Sequence, residues 1–582
     1  MNSSNSNGSN IENHSTRWLI DPRAQGRYLL GEWRLMFRRE TMLADAMAAI
    51  AVALVALPLS LAIANASGVK PEIGLVTAIV GGIVVALLGG CRLQVSGPAA
   101  AMTFLVYEII EKYGAGGLIV ATLLAGIFQL ATGTCRLGRI MQFMPRPVVA
   151  GFLSGIGLTI LCTQLPKVLG YDVTHDEEGG ALGLLIQTVK GIQLTDPRAL
   201  IVGLVAAGLM ITLPKISRKI PTPLIAVLAA TLLPWALGWS TGASGIKLLG
   251  ALPRSFPAPK IPLVPWNEIN ELFMAAITIY VLASIESLLS AAVVDTMSRE
   301  TRVDHDQELV GQGLGNIASA LFGGIPVTGV IARSGTNIQA GARTRLAAAL
   351  HAVLILVMML SLAELVGQIP IAALAGVLIA VAVRMVEIRL LGVLWKGNKP
   401  EAAVFVVTTL TILLTDLIVG VPVGMVAAFL YVVYEMSSLK VRPVPLANPH
   451  DHGSADTPSL GAVKLLEVEG PLFFGSSFHL RNILKRIEDD VRVAVLDLDR
   501  VPFLDITGAE LLSEAIELFN QKKVSVIIAR PTLSVKRRLA NLSGHMRSVL
   551  QTCSFADDIP DALAQAQALA TKPTAEHAVA VS

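Results

Sequence analysis

Charged, aromatic and cysteine residues are scarce in this chain. Charged side chains make up 15% of the 582 residues and aromatic side chains 5%, while 53% are hydrophobic and the mean hydropathy is +0.63. This composition excludes an ordinary soluble enzyme of the same length. The four cysteines have no paired spacing, so they indicate neither a disulfide framework nor a zinc site (Cys91, Cys135, Cys162 and Cys553).

Motifs for covalent or nucleotide chemistry are missing as well. The sequence has no phosphate-binding Gly-x-x-x-x-Gly-Lys-Ser/Thr loop, no metal-ligand cluster and no nucleophile elbow. These absences argue against an enzyme, against a bound cofactor and against a pump driven by ATP. The segment 1–40 is polar and rich in arginine, which is not the pattern of a cleavable signal peptide.

Apolar runs of membrane-spanning length are abundant. They lie at about 44–66, 72–90, 116–134, 146–163, 198–213, 221–239, 273–294, 345–366, 370–384 and 401–436. At ~20 residues per crossing, and with the short broken helices described next, they predict twelve to fourteen membrane segments. Basic residues precede the first run and recur after alternate runs, so the positive-inside rule predicts that the N-terminus and these loops face the cytoplasm.

Two segments, 94–101 and 323–330, interrupt apolar sequence with glycine and proline. Each precedes a helical run too short to cross a bilayer. Paired interruptions in the two halves of a membrane protein predict a binding site near the bilayer midplane. A helix that begins inside the membrane directs unpaired N–H groups and its positive dipole end into the gap. Two such ends facing each other would bind an anion. The sequence therefore indicates a transporter.

The composition changes after the last apolar run. We predict a cytoplasmic N-terminal segment at 1–40, a transmembrane domain at 41–440, a linker at 441–460, a soluble α/β domain at 461–570 and a disordered tail at 571–582. The α/β domain is predicted by strand-like runs at 463–468, 491–498 and 524–529 and by an amphipathic helix at 507–520.

Several motifs follow one another in a recognisable order. They are Phe-Met-Pro-Arg-Pro-Val-Val-Ala-Gly-Phe at 143–152 with Gln-Leu-Pro at 164–166, the stretch 323–344, Thr-Asp-Leu-Ile-Val-Gly-Val-Pro-Val-Gly at 415–424, and Phe-Leu-Asp-Ile-Thr-Gly at 503–508. Together they resemble the sulfate permease (SulP) family of anion transporters, which carry a C-terminal STAS domain. The resemblance covers about 40–565.

The resemblance implies a polytopic α-helical membrane protein of seven-plus-seven inverted repeats, divided into a core and a gate domain and followed by a STAS domain at 461–570. The two interrupted segments would be its third and tenth helices. It further implies secondary active transport of bicarbonate, sulfate or a C4-dicarboxylate by an elevator-like movement. The protein would be a homodimer in the inner (plasma) membrane, with no nucleic-acid partner.

The anion would lie between the N-termini of the two half-helices. The predicted substrate-binding residues are Ser96, Gly97, Ala99, Ala100, Thr328, Gly329, Val330, Ile331 and Arg333. Apolar residues stand where many family members have hydroxyls, so we expect backbone N–H groups to supply most contacts. Arg333 would add a fixed positive charge, although snorkelling or pairing with Glu286 would also account for it.

Glu286 lies in the middle of the apolar run 273–294, where a carboxylate is costly unless it faces a cavity or a partner. Its position resembles that of an acidic residue that binds sodium in some family members. Ser290 lies one turn further on the same helical face. We predict both as coupling-ion residues, with a proton in preference to sodium. A structural ion pair with Arg333 is the alternative.

Five other polar residues have simpler predicted roles. Asp505 would cap a helix of the STAS domain, and Thr507 falls where bacterial anti-sigma-factor antagonists carry a phosphorylated Ser or Thr. These two are regulatory candidates, with capping alone as the alternative. Asp45 and Asp416 would cap helices or face loops, and His351 would be a structural histidine.

Three other functions remain open. A nucleobase permease shares the architecture, but the STAS-like tail and Arg333 argue against it. A passive anion channel or exchanger gains nothing from a protonatable group, so Glu286 favours coupled transport. A membrane-tethered signalling scaffold would use the STAS domain as a binding module and would accumulate no substrate.

Overall fold

The structure is a computed structural model that describes residues 22–138, 145–171, 180–217, 221–239, 241, 245–260, 268–298, 303–415, 417–437, 440–444, 462–474 and 491–571. The chain forms two compact units, Met1–Val426 and Ala427–Ser582. The first is almost entirely helical, and the second contains a β-sheet.

Seventeen α-helices precede the larger sheet in the described residues. They are α1 (Pro22–Met36), α2 (Arg39–Ala66), α3 (Pro71–Leu88), α4 (Thr103–Thr134), α5 (Arg146–Leu169), α6 (Gly180–Lys190), α7 (Pro197–Ile216), α8 (Thr222–Ala236), α9 (Ile269–Met297), α10 (His305–Leu321), α11 (Ile331–Gln339), α12 (Arg345–Ser361), α13 (Ala363–Gly367), α14 (Ile371–Met385), α15 (Ile388–Gly397), α16 (Lys399–Leu414) and α17 (Leu417–Met436).

Local sequence explains several of these boundaries. The Asp196 carboxylate accepts a hydrogen bond from the Arg198 N–H and so caps α7, which has Pro197 in its first turn. Asp304 caps α10 and Thr344 caps α12 in the same way. Inside α4, Gly114 has φ of 68°, a left-handed conformation that favours glycine. It divides α4 into a short half-helix and a longer one.

Eight helices of the described residues are long and apolar enough to cross a membrane, and three shorter helices are apolar. The prediction of twelve to fourteen membrane segments also counted apolar runs shorter than these and the short broken helices. That number stays a prediction.

The helices of the first unit pack in two groups. In the first group α4 packs against α10 and α9, α3 against α10, and α12 against α2 and α3, while α11 contacts α2 and α9. In the second group α5 packs against α14 and α16, and α7 packs against α8 and α14. The two groups meet chiefly where α2 contacts α14 and α8. The predicted division into core and gate domains is therefore confirmed.

The second unit contains a five-stranded sheet in the order β3-β4-β5-β6-β7. Its strands are β3 (Lys440–Val444), β4 (Val463–Glu469), β5 (Val493–Asp497), β6 (Ser525–Ala529) and β7 (Ser554–Ala556). The β3–β4 pair is antiparallel and the other pairs are parallel. Four helices accompany the sheet: α18 (Ile506–Gln521), α19 (Leu533–Ala540), α20 (Gly544–Leu550) and α21 (Ile559–Ala570). The predicted strands and helix are confirmed.

Strand β3 corrects the predicted linker. Composition assigned 441–460 to a linker because of its prolines, yet 441–444 belong to β3. Val441 packs on the hydrophobic cluster on one face of the sheet and Val444 on the cluster on the other face. Pro443 is tolerated because β3 lies at the edge of the sheet. The remainder of the predicted linker, with His450 and His452, lies outside the described residues.

Candidate functional site

The two interrupted segments meet in a two-stranded antiparallel sheet. Strand β1 (Ser96–Gly97) pairs with strand β2 (Thr328–Gly329), with Ser96 opposite Gly329 and Gly97 opposite Thr328. The Val330 N–H donates to the Val95 carbonyl oxygen at 2.9 Å, which extends the pairing by one hydrogen bond. Segments that are far apart in the sequence are therefore held side by side in the core domain.

A helix follows each strand and begins inside the domain. After β1 comes a 3-10 turn, Ala100–Met102, which leads into α4, and after β2 comes α11. Neither start has a side-chain cap. The first-turn N–H groups of a helix have no helical carbonyl partner, so both ends keep donors for a ligand. Ala100 and Ile331 are half-buried and Ala332 is exposed, which leaves the helix ends accessible.

Arg333 spans the gap between the half-helices. The residue is completely buried. Its Nη2 donates to Ser60 Oγ at 3.0 Å and to the Pro98 carbonyl oxygen at 3.4 Å. A Cβ atom built on Gly97 would lie 2.5 Å from Arg333 Nη1. The guanidinium group on α11 thus reaches the opposite half-helix, and glycine at 97 leaves room for it.

Two nitrogens of Arg333, Nε and Nη1, have no hydrogen-bond partner. Among the described residues no carboxylate forms an ion pair with Arg333, so the proposed pairing with Glu286 is wrong. The physical reason is that Arg333 is directed towards Ser60 and Pro98, whereas Glu286 lies near Thr328. A buried guanidinium with unused donors is costly unless an anion or water meets it.

Glu286 lies on α9 beside the second strand. Its carboxyl is close to the Thr328 hydroxyl but outside good hydrogen-bond geometry, and Glu286 Oε2 has no partner. The Thr328 and Ser290 hydroxyl oxygens, both buried, also have none. One residue further along α9, Ser287 Oγ accepts a hydrogen bond from the Gly329 N–H at 3.0 Å. The structure therefore brings Glu286 next to the second strand of the predicted anion site, and Ser290 lies one turn further along α9.

Family models match both units of the chain. The sulfate permease family model matches residues 42–408 and the STAS domain model matches residues 454–561. The chain belongs to the sulfate permease family. Membership makes it a multi-pass membrane transporter and not an enzyme.

The relatives of this chain align with most of its length. YvdB of Bacillus subtilis, a candidate sulfate transporter, is 31% identical over 485 residues, which cover 83% of this chain and 90% of YvdB. The bicarbonate transporter BicA of a Picosynechococcus strain is 30% identical over 516 residues, 86% of this chain and 90% of BicA. The murine Solute Carrier 26 family member A9 anion transporter has the same fold, with a TM-score of 0.82 over 96% of this chain and 97% of that chain, at 17% identity.

A buried polar network lies behind the site and was not predicted from the sequence. Gln312 Nε2 donates to Ser96 Oγ at 2.9 Å and to Glu308 Oε1 at 2.8 Å. Asn316 exchanges two hydrogen bonds with the Val327 backbone, at 3.0 and 2.7 Å, and its Nδ2 donates to Gln129 Oε1 at 2.8 Å. Glu308, Gln312 and Asn316 recur every four residues on one face of α10, and that spacing was the available signal.

Residues with simpler predicted roles have the following positions. The Asp45 carboxylate accepts hydrogen bonds from the Arg343 and Thr344 N–H groups at 2.7 and 3.0 Å, just before α12, as expected of a cap. His351 is completely buried, with Nδ1 against the Ala348 carbonyl oxygen.

In the STAS unit, the Gly508 N–H donates to Asp505 Oδ1 at 2.6 Å, while Thr507 is half-buried in the first turn of α18. Asp416 lies outside the described residues.

Proposed function

We propose that this protein is a secondary active transporter of a small anion, which binds between the N-termini of α11 and of the half-helix at the start of α4. The observation that carries the proposal is the completely buried Arg333, whose Nε and Nη1 have no partner. Uncapped helix ends add partial positive charge on both sides. An anion would satisfy all of these donors at once.

Bicarbonate is the substrate that we propose first, with sulfate and C4-dicarboxylates as competitors. BicA is named as a bicarbonate transporter and YvdB as a candidate sulfate transporter. The apolar side chains of Ala99, Ala100 and Ile331 offer no ligands. Backbone N–H groups and one guanidinium group therefore have to supply the contacts to the anion. This set of donors fits a planar, singly charged, carboxylate-like group.

We further propose that transport is coupled to protons through Glu286. A carboxylate in this position is costly in its charged form, and its Oε2 has no partner that would compensate. Sodium is the alternative, because the unpartnered oxygens of Ser290 and Thr328 are hard ligands of the kind that such cations take. The two possibilities differ in the gradient that drives uptake.

The movement that we propose is an elevator-like displacement of the core domain against the gate domain. Every residue proposed to contact the anion or the coupling ion lies on α9, in the segment from β1 to the start of α4, or in the segment from β2 into α11, all in the core domain. The site can therefore move as one body past α14 and α8. We also propose that the protein is a homodimer in the plasma membrane, with its N-terminus and STAS domain in the cytoplasm.

Uptake into proteoliposomes tests the proposal. Purified full-length protein would be challenged with labelled bicarbonate, sulfate or fumarate under an inward proton gradient, an inward sodium gradient or neither. We expect accumulation of one anion above its equilibrium level only under the proton gradient. Accumulation under sodium alone would replace the proton with sodium. Equilibration without accumulation would indicate a passive channel, and competition by uracil but by no anion would indicate a nucleobase permease.

A further inference from the structure

Helix α1 lies directly before the first membrane-spanning helix and carries one acidic residue, Glu32. That residue is turned inwards. The Arg92 side chain donates to Glu32 from Nε at 2.7 Å and from Nη2 at 2.6 Å. Arg345, completely buried at the start of α12, adds an ion pair with Glu32 at 3.5 Å. The negative charge on the inner face of α1 is thus paired with two arginines of the same protein.

Two neutral side chains hold α1 in the same orientation. Trp33 Nε1 donates to the Leu87 carbonyl oxygen at 2.9 Å, and Gln25 Nε2 donates to Asp304 Oδ2 at 3.4 Å. With Glu32 these contacts fix α1 against α3, α12 and the start of α10. Because these contacts prevent α1 from turning about its axis, the same side chains always form its outer face.

The outer face of α1 is basic and apolar. Arg27 and Arg34 are separated by two helical turns, on the same side of the helix, and Arg38 follows just after its end; all three side chains are exposed. None of the three guanidinium groups forms a hydrogen bond or ion pair with another described residue. Beside them, Leu30 is 53% exposed and Phe37 is 73% exposed. We call Arg27, Leu30, Arg34, Phe37 and Arg38 the basic face.

The level of the membrane surface follows from α2. This helix begins at Arg39 and has exposed apolar side chains within its first turns, among them Leu43 (75% exposed) and Met47 (59% exposed). Such side chains face hydrocarbon in a spanning helix. The end of the basic face at Phe37 and Arg38 therefore lies within about two helical turns of the hydrocarbon boundary, at the depth of the lipid headgroups.

We propose that the basic face binds the headgroups of anionic phospholipids. Three unpaired guanidinium groups complement phosphate oxygens, with which arginine forms two parallel hydrogen bonds, and Leu30 and Phe37 enter the adjoining acyl region. The inward-facing Glu32 keeps the one negative charge of α1 away from this surface. Lipid binding at the basic face does not depend on the transported anion. If the proposed transport function proved wrong, the lipid proposal would still stand.

The test is thermal stabilisation of the full-length protein in detergent by added phosphatidylglycerol, compared with phosphatidylcholine. In the wild type we expect phosphatidylglycerol alone to raise the apparent Tm. In the triple variant Arg27→Gln/Arg34→Gln/Arg38→Gln we expect half-maximal stabilisation to need at least about tenfold more phosphatidylglycerol. A matched control, Arg442→Gln/Arg537→Gln/Arg547→Gln, removes three exposed arginines of the STAS unit and should respond like the wild type.

Two further arms make the result decisive. Inorganic phosphate at the same concentration should not stabilise the wild type; equal stabilisation would assign the site to a soluble anion and overturn the lipid proposal. Raising the salt concentration should weaken the phosphatidylglycerol effect in the wild type, because exposed charges are screened. This arm needs no variant. A phosphatidylglycerol effect that survives both high salt and the triple substitution would refute the proposal.

Discussion

Arg333 on α11 and Ser60 on α2 are joined by a hydrogen bond of 3.0 Å in the interior of the core domain. Ser60 Oγ in turn donates to the Ala56 carbonyl oxygen at 2.8 Å. One edge of the guanidinium group is thus fixed by the first repeat, and the nitrogens Nε and Nη1 stay free. The arrangement orients a positive charge without neutralising it.

Replacing Arg333 should weaken anion binding. In Arg333→Gln we expect KM for the transported anion to rise between about tenfold and a hundredfold, because a hydrogen bond to a charged group contributes ~1.5–3 kcal/mol. Arg333→Lys should recover part of the loss, since lysine keeps the charge but not the two-pronged geometry. The measurement is initial uptake against substrate concentration in proteoliposomes. Ser60→Ala is the control for orientation alone, and we expect a smaller rise in KM. An unchanged KM in Arg333→Gln would contradict the proposed binding site.

Replacing Glu286 should separate transport from coupling. Glutamine keeps the shape of the side chain and remains uncharged at every pH, so Glu286→Gln should exchange labelled for unlabelled anion but fail to accumulate it against a gradient. The measurement compares counterflow with gradient-driven uptake. Ser290→Ala distinguishes the two coupling ions. It should leave proton-driven accumulation within about twofold of the wild type. A proton needs only one carboxylate, whereas a sodium ion needs several oxygen ligands. Accumulation by Glu286→Gln at the wild-type level would remove the coupling role.

Replacing Glu32 should destabilise the core domain. Glu32→Gln removes the one carboxylate among the described residues that forms an ion pair with the buried Arg345, and loss of one partner of a buried pair costs about 3 kcal/mol. The matched control is Glu364→Gln, which breaks an ion pair with Arg254 whose side chains are 65% (Arg254) and 81% (Glu364) exposed. Exposed pairs contribute at most about 1 kcal/mol, so its apparent Tm should stay close to that of the wild type. Equal Tm values for the two variants would show that the Glu32 cluster carries no special stability.

The cysteine of the STAS unit should resist alkylation. Burial raises the pKa of the Cys553 thiol to about 11. Only the thiolate reacts, and a group with this pKa is about 0.1% thiolate at pH 8. We expect the labelling rate to rise about tenfold per pH unit between pH 7 and pH 10. Maleimide labelling followed by mass spectrometry measures it, with the exposed Cys135 as the internal reference. A rate for Cys553 at pH 7 that matches Cys135 would contradict the raised pKa.

Local signals made most of the fold predictable. Glycine and proline within apolar sequence located both half-helices, and strand-like runs located β4, β5 and β6, because each of these features depends on neighbouring residues. The long-range contacts were less accessible. Nothing in the spacing of Glu286 and Arg333 indicates that they face different partners, since that depends on how α9 and α11 pack.

The polar network and the linker illustrate two further limits. No motif in the sequence singled out Gln312 or Asn316, because only the fold brings them to Ser96 and Val327. Residues 441–444 contain a proline that indicated a linker. They form an edge strand because they pair with β4. In the sequence β4 lies beyond the rest of the predicted linker, so local residues do not indicate this pairing.

The pairing of β1 with β2 also has a consequence for biosynthesis. Ser96 and Gly97 leave the ribosome well before Thr328 and Gly329, which are their only described strand partners. In the interval, the first segment would enter a lipid environment with unpaired backbone groups, each of which costs several kcal/mol there. Final placement of the first half-helix must therefore wait until the second repeat has been synthesised, and neither half of the gene would encode a self-sufficient membrane domain.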